Sequence, residues 1–472
     1  MNERLYGNSK MDEHRVSHSG FRPSMKNKFE EIKEKVKKES KTEYTSFAVL
    51  KDGLAEMIHD SDEYTTGFAV YKDGEVKYQQ SVLNDGVKLL PYSPDNNLVK
   101  HGRVKHGIVL FPSKAEEYGS EAELLKEINE FIYRYVDLTP FFQKISPYYV
   151  LFSWVYDNFN ELPYLRFIGD VGSGKTRAVE TIGSLCYKPT LATGGASVSP
   201  IFRMLDLFGG TLLIDEADYR FSDEKADIIK ILNCGNTSTF PVLRSESIKQ
   251  KEFNPVAFQV FGCKIFDTRG YFKDMALESR CITEEMKEGN PREEIPINKP
   301  DRFWEEATKI RNKLLMFRFR NYGKKVLNPE LIDRSIEPRL NQIICPLASV
   351  ISDQETLREL KIFIQQYNRQ LVSDRGMEEA GQVLEIVKSI NQPEETELKI
   401  VPIKTITEEY ILKFGDKNDY GKPVNAKWIG WIVRRNLKLK TKRIEEGYII
   451  PKSEQPKLEN LYRKYGLSEK KK

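Results

Sequence analysis

The stretch Gly169-Asp170-Val171-Gly172-Ser173-Gly174-Lys175-Thr176 decides how this sequence folds, because it matches the pattern G-x-x-x-x-G-K-[ST] at every fixed position. An apolar run over residues 164–168 precedes it, and a helical pattern follows over residues 177–185. In such a loop the backbone amides curl round a phosphate chain, and the next helix adds the positive end of its dipole. The stretch predicts a strand, a phosphate-binding loop and a helix, and therefore an α/β fold.

The loop predicts ATP and Mg²⁺ as cofactors. Lys175 is expected to reach the β and γ phosphates, and the Thr176 hydroxyl to hold Mg²⁺. The expected nucleotide contacts run through the whole loop and one residue beyond it: Gly169, Asp170, Val171, Gly172, Ser173, Gly174, Lys175, Thr176 and Arg177.

A second element predicts that the nucleotide is hydrolysed. The apolar run over residues 211–214 ends in Asp215-Glu216-Ala217-Asp218. A carboxylate at the tip of a buried strand beside the phosphate loop supplies the oxygen that Mg²⁺ needs, which is the role expected of Asp215. Glu216 is expected to orient the attacking water. The letters Asp-Glu-Ala-Asp also name a helicase family with two tandem lobes, but here only 40 positions separate Lys175 from Asp215. A single-lobed ATPase fits better.

The bulk composition is that of an ordinary soluble protein, and the length of 472 residues allows two to four domains. No apolar stretch approaches the roughly 20 residues that span a bilayer, and no apolar signal segment begins the chain, so a cytoplasmic location is expected. The five cysteines lack C-x-x-C spacing and predict reduced thiols. All histidines lie at or before His106, which excludes histidine chemistry from the ATPase region.

The net charge of +4 is unevenly distributed along the chain. Residues 421–472 carry fifteen Lys and Arg against five Glu, a net charge of +10. A basic terminal segment on a mildly acidic remainder predicts a polyanionic partner, most simply nucleic acid.

Changes of pattern along the chain predict five regions. These are a disordered tail with a charged helix (1–45), a small β-rich domain (46–115), an ATPase core (116–290), a helical lid (291–395) and a basic winged-helix DNA-binding domain (396–472).

The order strand, loop, helix, strand, Asp-Glu, helix, strand, arginine resembles AAA+ ATPases. Within that class it is similar to the minichromosome-maintenance (MCM)-like and superfamily-three-like replicative helicases of mobile elements and viruses. The resemblance implies a parallel sheet with helices on both faces, a helical lid and a homo-oligomeric ring, expected to be a hexamer.

The resemblance also implies roles for residues after the core strands. The stretch Ala276-Leu277-Glu278-Ser279-Arg280 is similar to the L-x-S-R motif, so Arg280 is expected to reach the neighbouring subunit's site as an arginine finger. Thr268 occupies the sensor-one position, where MCM proteins usually carry Asn. Arg339 resembles a sensor-two arginine, with Arg334 as the alternative.

Two regions predict contacts with single- or double-stranded DNA. Residues 240–258 resemble the hairpin that MCM and superfamily-three helicases place in the ring channel, although a simple surface hairpin is the alternative; residues 404–450 have the size and rhythm of a winged helix. Trp428 and Trp431 sit at core spacing, which predicts packing instead of base stacking. The expected phosphate contacts are Arg244, Lys249, Lys251, Lys427, Arg434, Arg435, Lys438 and Lys440.

Two functions share these motifs. The first is a DNA-dependent motor, a ring helicase for replication of a mobile or viral element. The second is a non-motor AAA+ switch, such as an initiator, a loader or a transposition regulator that acts on DNA. A remodeller of proteins would explain the ATPase motifs but not the basic terminus.

Overall fold

The computed structural model describes residues 41–60, 63–92, 108–193, 198–217, 222–248, 252–272, 274–286, 291–391, 400–418 and 422–467. Lys249 and Lys251, two of the expected DNA contacts, lie outside the described residues. So does most of the charged helix predicted within residues 1–45, but its predicted end is wrong, because Thr42–Tyr44 form a strand. Within the described residues, no helix has both the length and the apolar character needed to cross a membrane.

The centre of the molecule is a five-stranded sheet in which every neighbouring pair is parallel. The order across the sheet is β14, β8, β13, β10, β9. The strands are β8 (Tyr164–Ile168), β9 (Thr190–Thr193), β10 (Leu212–Asp215), β13 (Lys264–Thr268) and β14 (Cys281–Glu285). Every residue of β8 and β13 is buried, as expected for parallel strands that are covered on both faces. The predicted α/β core is therefore present.

Helices connect and cover this sheet. Those that leave its strands are α3 (Lys175–Gly183), α4 (Val198–Phe208), α5 (Ser222–Cys234) and the short α6 (Met275–Glu278). Two precede the sheet, α1 (Glu121–Tyr135) and α2 (Pro140–Ser153), and three follow it, α7 (Arg302–Asn321), α8 (Pro338–Ala348) and α9 (Gln354–Met377). The apolar side chains of α7, α8 and α9 share one buried cluster with those of α1, α2 and α3.

An antiparallel hairpin, β11 (Val242–Ile248) with β12 (Glu252–Phe258), lies within the segment where the sequence predicts one. It joins α5 to the central strand β13 and forms a two-stranded sheet of its own.

The N-terminal region is β-rich, as predicted, but it shares its core with the parallel-sheet unit. Its antiparallel sheet contains β2 (Phe47–Leu50), β3 (Gly53–Asp60), β4 (Thr65–Lys72) and β5 (Glu75–Gln79), and a second sheet contains β1 (Thr42–Tyr44), β6 (Val82–Asn84) and β7 (Val87–Leu90). Met57 and Phe68 pack in one cluster with Met204 and Phe208 of α4. This region is therefore built into the larger unit.

A buried charge cluster strengthens that attachment. Glu56 of β3 is 1 % exposed and lies 3.1 Å from Lys188 Nζ and 2.5 Å from Arg318 Nε. Tyr187 donates its hydroxyl to the same carboxylate at 2.8 Å, and Arg318 also pairs with Asp157 at 2.7 Å. Burial lowers the pKa of Lys188 to about 8. Removal of the Glu56 carboxylate would leave the Lys188 ammonium buried without an ion-pair partner, at a cost of about 3–5 kcal/mol.

The C-terminal unit runs in the order helix, strand, helix, helix, hairpin, helix. Its elements are α10 (Glu379–Ile390), β15 (Val401–Pro402), α11 (Ile403–Phe414), α12 (Ala426–Arg435), β16 (Lys442–Ile444), β17 (Gly447–Ile450) and α13 (Gln455–Lys464). The boundary predicted at residue 396 assigns α10 to the lid. Instead, Val383 and Leu384 of α10 pack in one cluster with Ile406 and Ile432. The residues that follow α10 resemble a linker and suggest a domain boundary at that point, but the apolar face of α10 packs in the C-terminal core.

Candidate nucleotide-binding site

The glycine-rich loop follows β8 at the carboxyl edge of the sheet. Gly172 and Gly174 have φ angles of +86° and +89°, a left-handed conformation that glycine adopts without strain. A Cβ added to Gly169 would lie 2.6 Å from Ser173 Oγ, so a larger residue here would force the Ser173 side chain to move. The loop's geometry therefore favours glycine at 174, which the pattern fixes, and also at 172, which the pattern leaves open.

The loop and the tip of β10 meet across the sheet. Thr176 donates its hydroxyl to Asp215 Oδ1 at 2.7 Å. The loop that precedes Thr176 follows β8 and Asp215 ends β10, so the bond crosses the end of β13, which lies between those two strands. Lys175, the first residue of α3, donates its ammonium to the Asp170 carbonyl at 2.6 Å across the loop. The structure thus brings together the hydroxyl and the carboxylate from which the sequence predicts an Mg²⁺ site, and their hard oxygens suit that ion.

Glu216 takes an unusual backbone conformation at the same edge. Its φ angle is +55°, in the left-handed region that non-glycine residues rarely occupy. Its amide donates to Asp267 Oδ1 at 2.7 Å, and its own side chain is exposed. Strain of this kind persists where the surroundings hold it, so the Asp267 carboxylate fixes the direction in which Glu216 points.

Asp267 is a site residue that the sequence analysis missed. Burial raises its pKa to about 6, with a further rise from the Asp215 charge, while the Glu216 amide and Lys175 act in the opposite direction. The only feature of the sequence that could have indicated Asp267 is its position next to last in strand β13. The resemblance instead implies a sensor role for its neighbour Thr268, whose hydroxyl donates to the Gly270 carbonyl at 2.9 Å. Side chains alternate along a strand, so the two residues face opposite sides.

A cavity of about 390 Å³ adjoins the loop at Gly172, Ser173 and Gly174. Its remaining lining is mostly apolar and comes from two segments that are distant in sequence, 136–139 and 291–297, together with Glu284 and Met286. The spacing of sequence motifs does not indicate which distant segments line such a cavity. Ser173 contributes a buried hydroxyl that has no hydrogen-bond partner among the described residues.

Both walls of the cavity are anchored to the parallel-sheet unit. Thr139 donates its amide to Glu284 Oε1 at 2.7 Å, and its hydroxyl donates to Oε2 of the same carboxylate at 2.9 Å. Arg177 donates to the Pro296 carbonyl at 2.5 Å. Arg177, for which the sequence predicts a nucleotide contact, itself lines the cavity and also holds this wall beside the glycine-rich loop.

Arg280 and Arg339 lie away from this loop. The Arg280 carbonyl accepts a hydrogen bond from the amide of Tyr164, the first residue of β8, whereas the loop follows the last residue of that strand. A five-residue strand is about 16 Å long. Burial and the nearby charge of Arg339 both lower the pKa of Arg280. The structure therefore brings these two arginines close to each other but not to the phosphate loop of their own chain.

The Arg280 side chain is 7 % exposed and is held by neutral oxygens. It donates to Asn236 Oδ1 at 2.9 Å, to Asn233 Oδ1 at 2.6 Å and to the Ala276 carbonyl at 2.6 Å.

The helix before Arg280 is anchored by a buried ion pair. Arg166 of β8 donates to Glu278 Oε2 at 2.7 Å, and Tyr367 of α9 donates its hydroxyl to the Glu278 carbonyl at 2.9 Å. The arginine side chain is fully buried and the glutamate is 3 % exposed. The sequence analysis missed this cluster, because a lone arginine in an apolar strand gives no indication of its partner.

The structure places the expected DNA contacts in two different settings. Arg244 of the hairpin lies 2.5 Å from Asp227 Oδ2, and its guanidinium sits 4.0 Å from the Phe202 ring centroid, so it is engaged within the chain. In the C-terminal unit the expected residues are all exposed: Lys427, Arg434, Arg435, Lys438 and Lys440.

The expectation that both tryptophans pack in a core is wrong for one of them. Trp428 contacts the C-terminal core, with its ring centroid 5.5 Å from that of Tyr410. Trp431 is 51 % exposed. The apolar positions that face the core from this helix are Ile429, Ile432 and Val433, which leaves Trp431 on the outer side.

No protein-family model matches this chain, and no curated protein matches it in sequence. Among solved structures, it resembles the apo C-terminal region of NrS-1 at 12 % identity and a TM-score of 0.35, covering 84 % of this chain and 95 % of that one. It also resembles SCCmec type IV Cch, described as an active helicase, at 10 % identity and a TM-score of 0.34, covering 88 % and 99 %. TM-scores of this size leave both fold and function to be argued from this chain's own residues.

Proposed function

We propose that this chain is an ATP-hydrolysing, ring-forming AAA+ motor that acts on DNA, a replicative helicase of a mobile or viral element. The observation that carries the ATPase assignment is the convergence of the Thr176 hydroxyl, the Asp215 carboxylate and Glu216 at the loop, beside the cavity.

Each group at the site has a defined task under this proposal. The apolar cavity takes the nucleoside, and the loop amides with Lys175 bind the phosphates. Thr176 and Asp215 would hold Mg²⁺, which neutralises charge on the phosphate oxygens when bound. Glu216 orients water toward the terminal phosphate, and Asp267 fixes the backbone from which that carboxylate extends.

The position of Arg280 supports a shared active site. Since this side chain lies at the amino end of β8, it cannot serve the loop of its own chain. To reach the loop of a second copy it must leave its hydrogen bonds to Asn233, Asn236 and the Ala276 carbonyl. Arg339 would enter the same interface. A head-to-tail contact repeated round an axis closes into a ring, and the resemblance to MCM-like proteins suggests six subunits.

The C-terminal unit supports DNA as the partner. Its element order is that of a winged helix preceded by α10, with α12 as the exposed helix and β16–β17 as the wing. Exposed cations on and after α12 provide contacts for phosphates.

One observation favours the alternative, a non-motor AAA+ switch that controls assembly on DNA. Of the hairpin cations that are expected to contact DNA, the structure describes only Arg244, and this side chain is paired with Asp227. A motor that moves DNA through a channel needs that side chain to be released.

The test is the steady-state ATPase rate without nucleic acid, with single-stranded DNA and with duplex DNA, using Lys175→Ala as the inactive control. We expect strong stimulation by DNA and no turnover in the variant. Turnover that survives Lys175→Ala would refute the site assignment. A strand-displacement assay then separates the two functions, because only the motor unwinds a duplex.

A further inference from the structure

We infer that the C-terminal unit binds unpaired nucleotides, with Trp431 as a stacking platform for a base. The surface involved, here named the Trp431 face, consists of Lys427, Trp431, Arg434, Arg435 and Tyr448. This inference rests on the proposed DNA function and specifies the form of DNA that this surface takes.

The first four members occupy one side of α12. Positions 427, 431, 434 and 435 are related by steps of three and four residues, which makes them neighbours on a helix surface. Each of these side chains is exposed, and Trp431 keeps 51 % of its surface open. The buried positions of the helix, such as Ile429 and Val433, already complete its contact with the core. Packing therefore gives no reason for an indole on the outer side.

The wing adds a second aromatic ring to this surface. Tyr448 of β17 is 49 % exposed, and the Arg434 guanidinium lies 5.8 Å from its ring centroid. Arg434 also approaches Thr441 Oγ1 at 3.5 Å. The arginine thus bridges helix and wing, so cations and aromatic rings alternate across one continuous surface.

The distribution of charge on and around the Trp431 face indicates which form of DNA it binds. Among the residues that the structure describes, no acidic side chain forms an ion pair with Lys427, Arg434 or Arg435, so these cations are available to phosphates. By contrast, the turn of the wing carries exposed Glu445 and Glu446. An acidic wing tip opposes insertion between the phosphate rows of a duplex groove. Exposed aromatic rings flanked by cations instead suit a single strand, whose phosphates pair with the cations while its bases stack on the rings.

The test uses the full chain with an oligothymidine of about 16 nucleotides and with a duplex of matched length, measured by fluorescence anisotropy. We expect Trp431→Leu to weaken oligothymidine binding roughly 10- to 100-fold and to change duplex binding little, since stacking needs an unpaired base. Trp431→Phe, which keeps a ring, should recover most of the affinity. Trp304→Leu removes another exposed tryptophan, 40 % open, from a different unit and is the matched control.

A double charge variant, Arg434→Ser with Arg435→Ser, separates this inference from the proposed function. If the charge variant weakens binding while Trp431→Leu changes nothing, the DNA function stands and the stacking inference is wrong. If Trp431→Leu weakens both forms of DNA equally, the ring contacts the backbone and stacking is again excluded. If neither variant weakens binding, this surface has no DNA role.

Discussion

Asp267 links protonation at the edge of the site to stability. Its carboxyl group has a pKa of about 6 in the folded chain, against an ordinary value of 3.8. Between these values the folded state holds more protons than the unfolded state. The contribution of this group to stability is therefore complete below about pH 4 and is lost as the pH rises through about 6.

Asp267→Asn tests that shift, because the amide mimics the neutral acid and its oxygen can still accept from the Glu216 amide. We expect the variant to gain stability relative to the wild type as the pH rises from 4 to 7. Urea unfolding midpoints of both proteins across this range provide the measurement. Midpoints that keep a constant difference at every pH would contradict the raised pKa.

The site residues that could be predicted from the sequence are those fixed by local geometry. Gly169, Gly174, Lys175 and Thr176 are the fixed positions of a pattern in which the spacing of the residues determines how the loop folds. Asp267 could not be distinguished from its neighbour Thr268 on the same strand, because choosing between them requires knowing which face of β13 meets Glu216.

At the scale of elements, α6 is the part least able to form alone. It has four residues, and apart from its cap, where Asp274 accepts from the Ala276 amide at 2.9 Å, it depends on tertiary contacts. The buried pair of Glu278 with Arg166 is the main one, and Arg280 follows two positions later.

Arg166→Met should therefore lower the free energy of unfolding by about 3–5 kcal/mol, since it leaves the Glu278 charge buried and unpaired. Adding Glu278→Leu should restore much of the loss, because the unpaired charge is then removed as well. Lys126→Ala, which breaks an exposed pair with Glu130 at 3.9 Å, is the control and should cost less than about 0.5 kcal/mol. A double variant no more stable than Arg166→Met would contradict this account. Denaturant titration provides the values.

Elements were easier to predict than their partners. Hydrophobic pattern predicted three strands of the parallel sheet, β8, β10 and β13, together with the hairpin and the terminal helices, but it missed β9 and β14. Hydrophobic pattern could not assign α10 to a domain, because an apolar helix face shows that the helix packs against something without showing what. Val383 and Leu384 pack in the C-terminal core, on the far side of the linker-like residues that follow α10.

At the scale of the whole molecule, the position of Arg280 predicts complementation between two inactive variants. Lys175→Ala lacks a working loop but keeps its arginine, and Arg280→Ala has the reverse defect. When the two are mixed in equal amounts, about a quarter of the interfaces of a randomly assembled ring combine an intact loop with an intact arginine. ATPase activity should therefore reappear on mixing.

The control for this experiment carries both substitutions on one chain. Mixed with Arg280→Ala, the double variant offers no intact arginine at any interface, so it should restore nothing. If mixing the two single variants also restores nothing, while each still associates, Arg280 acts only within its own subunit.

The buried Glu56 cluster has a consequence for how this molecule can evolve. A chimera that replaced residues 41–92 with an unrelated β module would remove the Glu56 carboxylate, which leaves Lys188 without its ion-pair partner and Arg318 with Asp157 alone. By contrast, recombination could exchange the C-terminal unit as a whole, because that unit has a hydrophobic core of its own. The N-terminal sheet can change only together with α7 and the segment before β9, so it is inherited as one piece with the parallel-sheet unit.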